Sequence, residues 1–218
     1  MSEARDDGDW AAAAEARVLD AAVRLAPRLG WGARLFEAAR REAGLDPAVA
    51  ALLLPGGAAD LAALLWRRHD DAALAELAGV DASALKVRER IRRAVATRVE
   101  AAAVDLEAEK KASAWLALPH HAPLAGRLAW ATADRLWRWA GDTATDENHY
   151  SKRAILAGVL VSTALRRMSS GREAAEAHLE AQIARVMRFE TWKAALPSPG
   201  ALALDVAARL GRLRYGAR

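Results

Sequence analysis

The chain has 218 residues, 53% hydrophobic and 28% charged, with no cysteine and a formal net charge of +4. Disulfides, thiolate metal sites and cysteine nucleophiles are therefore excluded, while the apolar fraction suffices for a substantial core. Alanine and leucine supply most of the apolar excess, phenylalanine and tyrosine number two each, and β-branched runs are absent, which points to an all-α chain.

The first ten residues, MSEARDDGDW, are acidic and lack the basic-then-apolar order of a signal peptide, so residues 1–10 read as a disordered leader. A first helix is expected over Ala11–Leu25, where Val18, Leu19, Ala22 and Leu25 recur at helical spacing before Pro27 and Gly30. A second covers Arg34–Ala43, closed by Gly44 in the left-handed cap position. Asp46 and Pro47 start a third, Ala48–Leu54, which Pro55, Gly56 and Gly57 end. Residues 11–58 thus form a helix-turn-helix-like head.

A fourth helix runs from Ala59 to about Arg68 or on to Leu77. Ser83–Ala117 is strongly periodic, with Val87, Ile91, Val95, Val99 and Leu106 on one stripe and a bend expected near Glu107–Lys111. Lys86–Arg98 carries six basic residues against the single Glu89 and reads as a solvated face. Pro119 interrupts the pattern, and Leu124–Trp139 follows, stopping at Gly141. Thr145 or Asp146 starts a helix reaching Met168, and Ser170 with Glu173 makes a capping box for Arg172–Phe189. The bundle is thus expected over 59–196, and the total is nine or ten helices.

Residues 197–218 begin with the Pro/Ser/Gly linker Pro197–Gly200. Leu202, Val206, Leu210 and Leu213 then share one helix face, with Arg209 and Arg212 around it, a pattern suited to an anionic membrane surface or to docking on the bundle.

Catalytic motifs are missing. No glycine-rich phosphate loop follows a strand, and no Glu-x-x-His pair supplies a di-iron site. His120 and His121 are adjacent, so on a helix they point about 100° apart, a poor geometry for one metal. Neither a catalytic role nor a cofactor is expected. The candidate recognition helix PAVAALLLP has no side chain able to grip phosphate or read a base edge, so specific DNA binding is not expected either.

Leu118–Ala154 is the densest aromatic stretch, holding Trp130, Trp137, Trp139, three histidines and Tyr150. Leu128, Thr132, Leu136 and Trp139 form one helical row and Trp130, Asp134 and Trp137 another, so one row faces the core and the second is left for a partner or ligand, unless both are core. On the next helix His149, Tyr150 and Arg153 fall on one side, a composition common at binding hot spots.

This segment, with KVRERIRRAVATRV before it, resembles the Coq-nine family of lipid-binding accessory proteins in ubiquinone biosynthesis. The resemblance rests on Leu118-Pro119-His120, Trp137, Ala140-Gly141-Asp142, Thr145-Asp146, Asn148, Tyr150 and Lys152-Arg153-Ala154. It implies a TetR-regulator-like fold, a helix-turn-helix head on a ligand-binding bundle, usually dimeric. It also implies a non-catalytic role, in which isoprenoid quinone intermediates or phospholipid are bound and the di-iron demethoxyubiquinone hydroxylase is the partner. Carried onto this chain, the partner contact is Leu136, Trp137, Trp139, His149, Tyr150 and Arg153, with His149 departing from the tryptophan familiar in mitochondrial members. The last helix, by the same resemblance, associates with membrane. The setting expected is a bacterial cytoplasm, peripheral to the inner membrane. The candidate lipid wall is Leu116, Leu118, Leu128, Ile155, Leu156, Val159 and Leu160, residues that would equally make an ordinary core. The rival reading is a TetR-type transcription regulator with a hydrophobic ligand pocket.

Overall fold

The computed structural model describes residues 3–142 and 147–195. Over these residues the chain is helical throughout, with α1 (Glu3–Leu29), α2 (Ala33–Glu42), α3 (Pro47–Leu53), α4 (Ala58–Ala78), α5 (Val87–Ala103), α6 (Leu106–Leu116), α7 (Ala122–Trp139) and α8 (Glu147–Ala195). Single 3-10 turns at Ala82–Ala84 and Pro119–His121 precede α5 and α7. The all-α expectation holds, with eight α-helices among the described residues rather than nine or ten. The expected last helix, Leu202–Leu213, lies outside them.

The chain divides into two units, residues 1–179 and 180–218. The head and most of the bundle share the first. There α1 packs on α2, α4 and α6, and α4 packs on α5 and α7. Val18, Leu35, Leu61, Leu65 and Leu116 belong to one buried cluster, so the expected junction near residue 58 runs through a common core. The Trp31 indole N–H donates to the Ala58 carbonyl at 3.0 Å, tying α2's approach to the first residue of α4.

Local chemistry explains most helix ends. Asp46 caps α3 by accepting from the Ala48 and Val49 amides, with Pro47 in the first turn. α7 ends in a Schellman cap: the Asp142 amide donates to the Trp137 carbonyl and the Gly141 amide to that of Arg138. Gly141 sits at φ 87, which the backbone reserves for glycine, and a Cβ there would also push the Arg90 Nη1, 3.1 Å away, aside by a few tenths of an ångström.

Three differences from expectation have physical causes. α1 begins at Glu3, inside the stretch read as a leader, and runs through Pro27 to Leu29; the proline lies in the last turns, where one lost hydrogen bond does little damage. The long Ser83–Ala117 segment divides at Val104–Asp105, before the polar run, and Asp105 takes a non-helical conformation as its carboxylate turns to Arg68 and His69. The helices expected on either side of Ser170 are the two arms of α8, which breaks at Gly171 (φ 86, ψ −176). No single helix among the described residues is long and apolar enough to cross a membrane; α3 and α4 meet both conditions only when taken together, and they are bent by 58°.

Candidate functional site

On α4, Leu61, Leu65, His69, Ala73 and Leu77 follow one another at four-residue spacing, and all are buried. The stripe therefore carries a histidine into the core, with Asp70 beside it and Trp66 one turn earlier. Asp70 accepts from Arg98 Nε of α5 at 2.5 Å and from the Thr132 hydroxyl of α7 at 2.8–2.9 Å. The Trp66 indole N–H donates to the same hydroxyl at 2.6 Å, and the Arg98 guanidinium lies 5.3 Å from the Trp66 ring centroid. One buried cluster thus joins α4, α5 and α7. Arg98, expected on a solvated face, is at its centre.

A second polar chain extends from it. His69 Nε2 lies 3.0 Å from Asp105 Oδ2, and the same carboxylate oxygen accepts from Arg68. His69 Nδ1 has no hydrogen-bond partner and stands 3.5 Å from Glu109 Oε2. Burial and the nearby Arg98 charge lower the His69 pKa to about 4, against the pull of Asp105, so the ring is neutral at pH 7. Burial pushes the Glu109 carboxyl up, against the opposing influence of Arg98 and the Ser113 hydroxyl. His69 Nδ1 and Glu109 Oε2 face each other across that 3.5 Å gap with no hydrogen bond between them. Glu109 also accepts from Ser113 Oγ at 3.2 Å.

Glu109 and Ser113 form the polar end of a cleft of about 150 Å³ between α4, α6, α7 and α8, with Trp66, Leu116, Ala125, Val161, Leu165 and Met168 among its apolar walls. Leu165 also lines an open groove of about 680 Å³ with Ser162, Arg166, Ala174, Ala177 and His178, on either side of the Gly171 break.

The other candidate region lies where α7 ends and α8 begins. The Trp130 and Tyr150 rings lie near-parallel with centroids 6.1 Å apart, and His149 meets Tyr150 edge-on at 5.2 Å. Tyr150 is 64% exposed. Beneath this rim, Arg153 donates to Asp134 at 2.6 Å, to Asp142 at 3.1 Å and to the His149 carbonyl at 3.2 Å. Lys152 donates to the other Asp142 oxygen at 2.8 Å. Burial alone would raise the Asp142 carboxyl, but the bonds from Lys152 and Arg153 outweigh it and hold the group below the usual carboxylate range.

The sequence-predicted residues are not all where expected. Of the lipid wall, only Leu116 lines the cleft. Leu156, Val159 and Leu160 are buried in the core, Leu128 and Ile155 are half-buried, and Leu118 is 43% exposed after α6. In the partner patch Leu136 and Arg153 are each 1% exposed, Leu136 on the buried face of α7 and Arg153 enclosed by its carboxylates. Helical spacing had given their direction around the axis but not their depth. Trp137 and Trp139 are half-buried, their indole N–H groups spent on the Lys152 and Leu77 carbonyls. Tyr150, His149 and Trp130 remain as the accessible rim. The membrane-contact residues Leu202, Val206, Arg209, Leu210, Arg212 and Leu213 lie outside the described residues.

His69, Asp70, Arg98, Asp105 and Glu109 escaped the sequence reading. The signal was the four-residue stripe on α4, in which a histidine takes the place of a leucine. Among the described residues no group of three or more histidines and carboxylates is arranged to hold a metal ion. The His121 ring stacks on Trp115 with centroids 3.4 Å apart, which gives it a packing role.

The family model described as COQ9 matches residues 122–190, from the start of α7 through the Gly171 break. The chain is similar to ubiquinone biosynthesis protein COQ9, mitochondrial, of Bos taurus, at 30% identity over 157 residues, covering 68% of this chain and 49% of that protein. The Rattus norvegicus protein of the same name is 30% identical, with 68% and 50% covered, and the Homo sapiens one 29%, with 68% and 49%. The chain spans about half the length of these curated relatives.

Proposed function

This chain belongs to the COQ9 family, and from that premise we propose that it is a non-catalytic accessory protein of ubiquinone biosynthesis. It binds isoprenoid quinone intermediates or phospholipid and presents them to the di-iron demethoxyubiquinone hydroxylase, which docks on the aromatic rim. The observation that carries this reading is the exposed Tyr150, held against Trp130 and flanked by His149 on a base fixed by the buried Arg153. A rigid, amphipathic ring on a preorganised base is the kind of group that dominates binding energy.

The lipid part of the proposal draws on shape. Sheltering an isoprenoid tail from water is worth about 0.8 kcal/mol per buried CH₂. The cleft takes a head-sized group, and a tail leaving it past Leu165 enters the open groove along α8. The apolar α3, with Leu52 83% exposed and no basic or amide side chain from Pro47 to Pro55, gives the DNA-regulator reading nothing to act with.

Replacing Tyr150 by alanine tests the docking surface. Because the ring is largely exposed, thermal stability should change by no more than about 0.5 kcal/mol. Affinity for the purified hydroxylase, measured by titration calorimetry, should fall at least about tenfold. Unchanged affinity would remove the rim from the contact, and collapse of the fold would place Tyr150 in the core.

A further inference from the structure

A separate cavity, of about 320 Å³, lies on the other side of α8 and shares no lining residue with the cleft at Glu109. Thr163 lines it, while Val161 and Leu165, two residues to either side and so roughly 160° around the axis, line the cleft. Val99 of α5 and Leu179, on the arm of α8 beyond Gly171, are buried and give the cavity apolar walls. Its charged residues are mostly acids: Glu76, Glu100 and Glu176 against Arg172. Two of these carboxylates are spent. Glu100 gives its oxygens to Arg167 at 2.8 and 3.2 Å, and Glu176 accepts from Arg172 at 2.9 Å. Glu76 is exposed and has no hydrogen bond or ion pair with any described residue. It stands in the last turn of α4, which holds no basic residue, where the carbonyl end of a helix disfavours negative charge. Deeper in, Thr97 is 9% exposed, and its hydroxyl has no hydrogen-bond partner among the described residues. The Thr163 hydroxyl, by contrast, donates to the Val159 carbonyl at 2.7 Å.

We infer that this cavity binds a small primary alkylammonium, its charged head held by Glu76 and Thr97 and its short chain laid against Val99 and Leu179. An ammonium has three donors and no acceptor; Glu76 offers an uncommitted carboxylate and Thr97 an uncommitted hydroxyl oxygen. A cation there also offsets the unfavourable charge at the end of α4. An anion would face three acids, and Arg172, the one cation among the lining residues, is already paired with Glu176. A lipid head group that carries its ammonium beside a phosphate meets the same repulsion, which makes a free amine the ligand class. The volume lies within the roughly 300–1,000 Å³ range of small-molecule sites. The site is independent of the lipid role proposed above.

The test titrates the full chain with pentylammonium, 1-pentanol, hexanoate and phosphoethanolamine. Nuclear magnetic resonance follows the Val99 and Leu179 methyls in the cavity, with those of Val161 and Leu165 in the cleft as the reference. Pentylammonium should move the first pair, leave the second unmoved, and bind about tenfold tighter than pentanol, because its bond to Glu76 is charge-assisted. Hexanoate and phosphoethanolamine should not bind. Glu76→Gln, at an exposed position, should keep the fold and cut the preference for the amine over the alcohol to about twofold or less. Thr97→Val, of the same shape, should weaken pentylammonium about threefold. Circular dichroism checks that each variant folds; should Thr97→Val not fold, Glu76→Gln decides alone. No shift at Val99 and Leu179, equal affinity for amine and alcohol, or a preference that survives Glu76→Gln overturns the site. Phosphoethanolamine binding as tightly as pentylammonium overturns the free-amine assignment in favour of a lipid head group.

Discussion

Asp70→Ala should destabilise the fold by about 3–5 kcal/mol, the usual loss when one partner of a buried ion pair is removed. Asp70 is 4% exposed and is the acceptor on which Arg98 and the Thr132 hydroxyl converge. Without it a guanidinium 3% exposed keeps its charge and loses its counterion, since its remaining bond is to the Trp66 carbonyl at 3.3 Å. Arg135, whose Nη1 lies 3.6 Å from Asp70 Oδ2, is already paired with Asp71 and sits nearer the surface. The pair need not be a net gain over an apolar core: Asp70→Leu with Arg98→Met should be markedly less destabilised than either single change, a coupling that denaturant melts of the double-mutant cycle will read. Single variants within about 1 kcal/mol of wild type would show that the cluster is not the keystone of α4, α5 and α7.

Arg153→Ala should cost about 3 kcal/mol, at the low end for a buried pair because Asp134 is partly open to solvent. The consequence is local as well as global. Arg153 joins the end of α7, through Asp134 and Asp142, to the first turn of α8, through the His149 carbonyl. The rim of Trp130, His149 and Tyr150 spans that junction, so the variant should lose both stability and the defined Tyr150 position. Arg153→Lys should rescue it only in part. A lysine carries the charge but not the planar fork that reaches two carboxylates and a carbonyl together. Thermal melts of the three proteins check the order wild type, Lys, Ala; a lysine variant as stable as wild type would reduce the junction to a matter of charge.

These two clusters also mark the limit of what the sequence made legible. Helix existence followed from apolar periodicity, and Gly44 and Gly141 announced their caps because left-handed backbone leaves few other choices. The dense aromatic segment was visible as composition, and Tyr150 lies exposed on the helix where the spacing put it. Depth was not visible. Arg98 looked like one more cation in a basic run, and Arg153 like an interface arginine, because charged residues are seldom buried without partners distant in sequence. Those partners are 28 residues away for Arg98 and 19 for Arg153. The break between α5 and α6 lacked proline or glycine; it follows from the tertiary demand that Asp105 serve Arg68 and His69. The proposed lipid wall suffered the same ambiguity, since leucines facing a cleft and leucines facing each other share one pattern.

Native mass spectrometry of the protein, purified gently from cells, decides whether the chain carries lipid. The spectrum should contain species heavier than the polypeptide by the mass of an isoprenoid quinone intermediate or a phospholipid, and an organic extract should return the same molecule. Bare polypeptide alone, under conditions that preserve known lipid complexes, would contradict the claim.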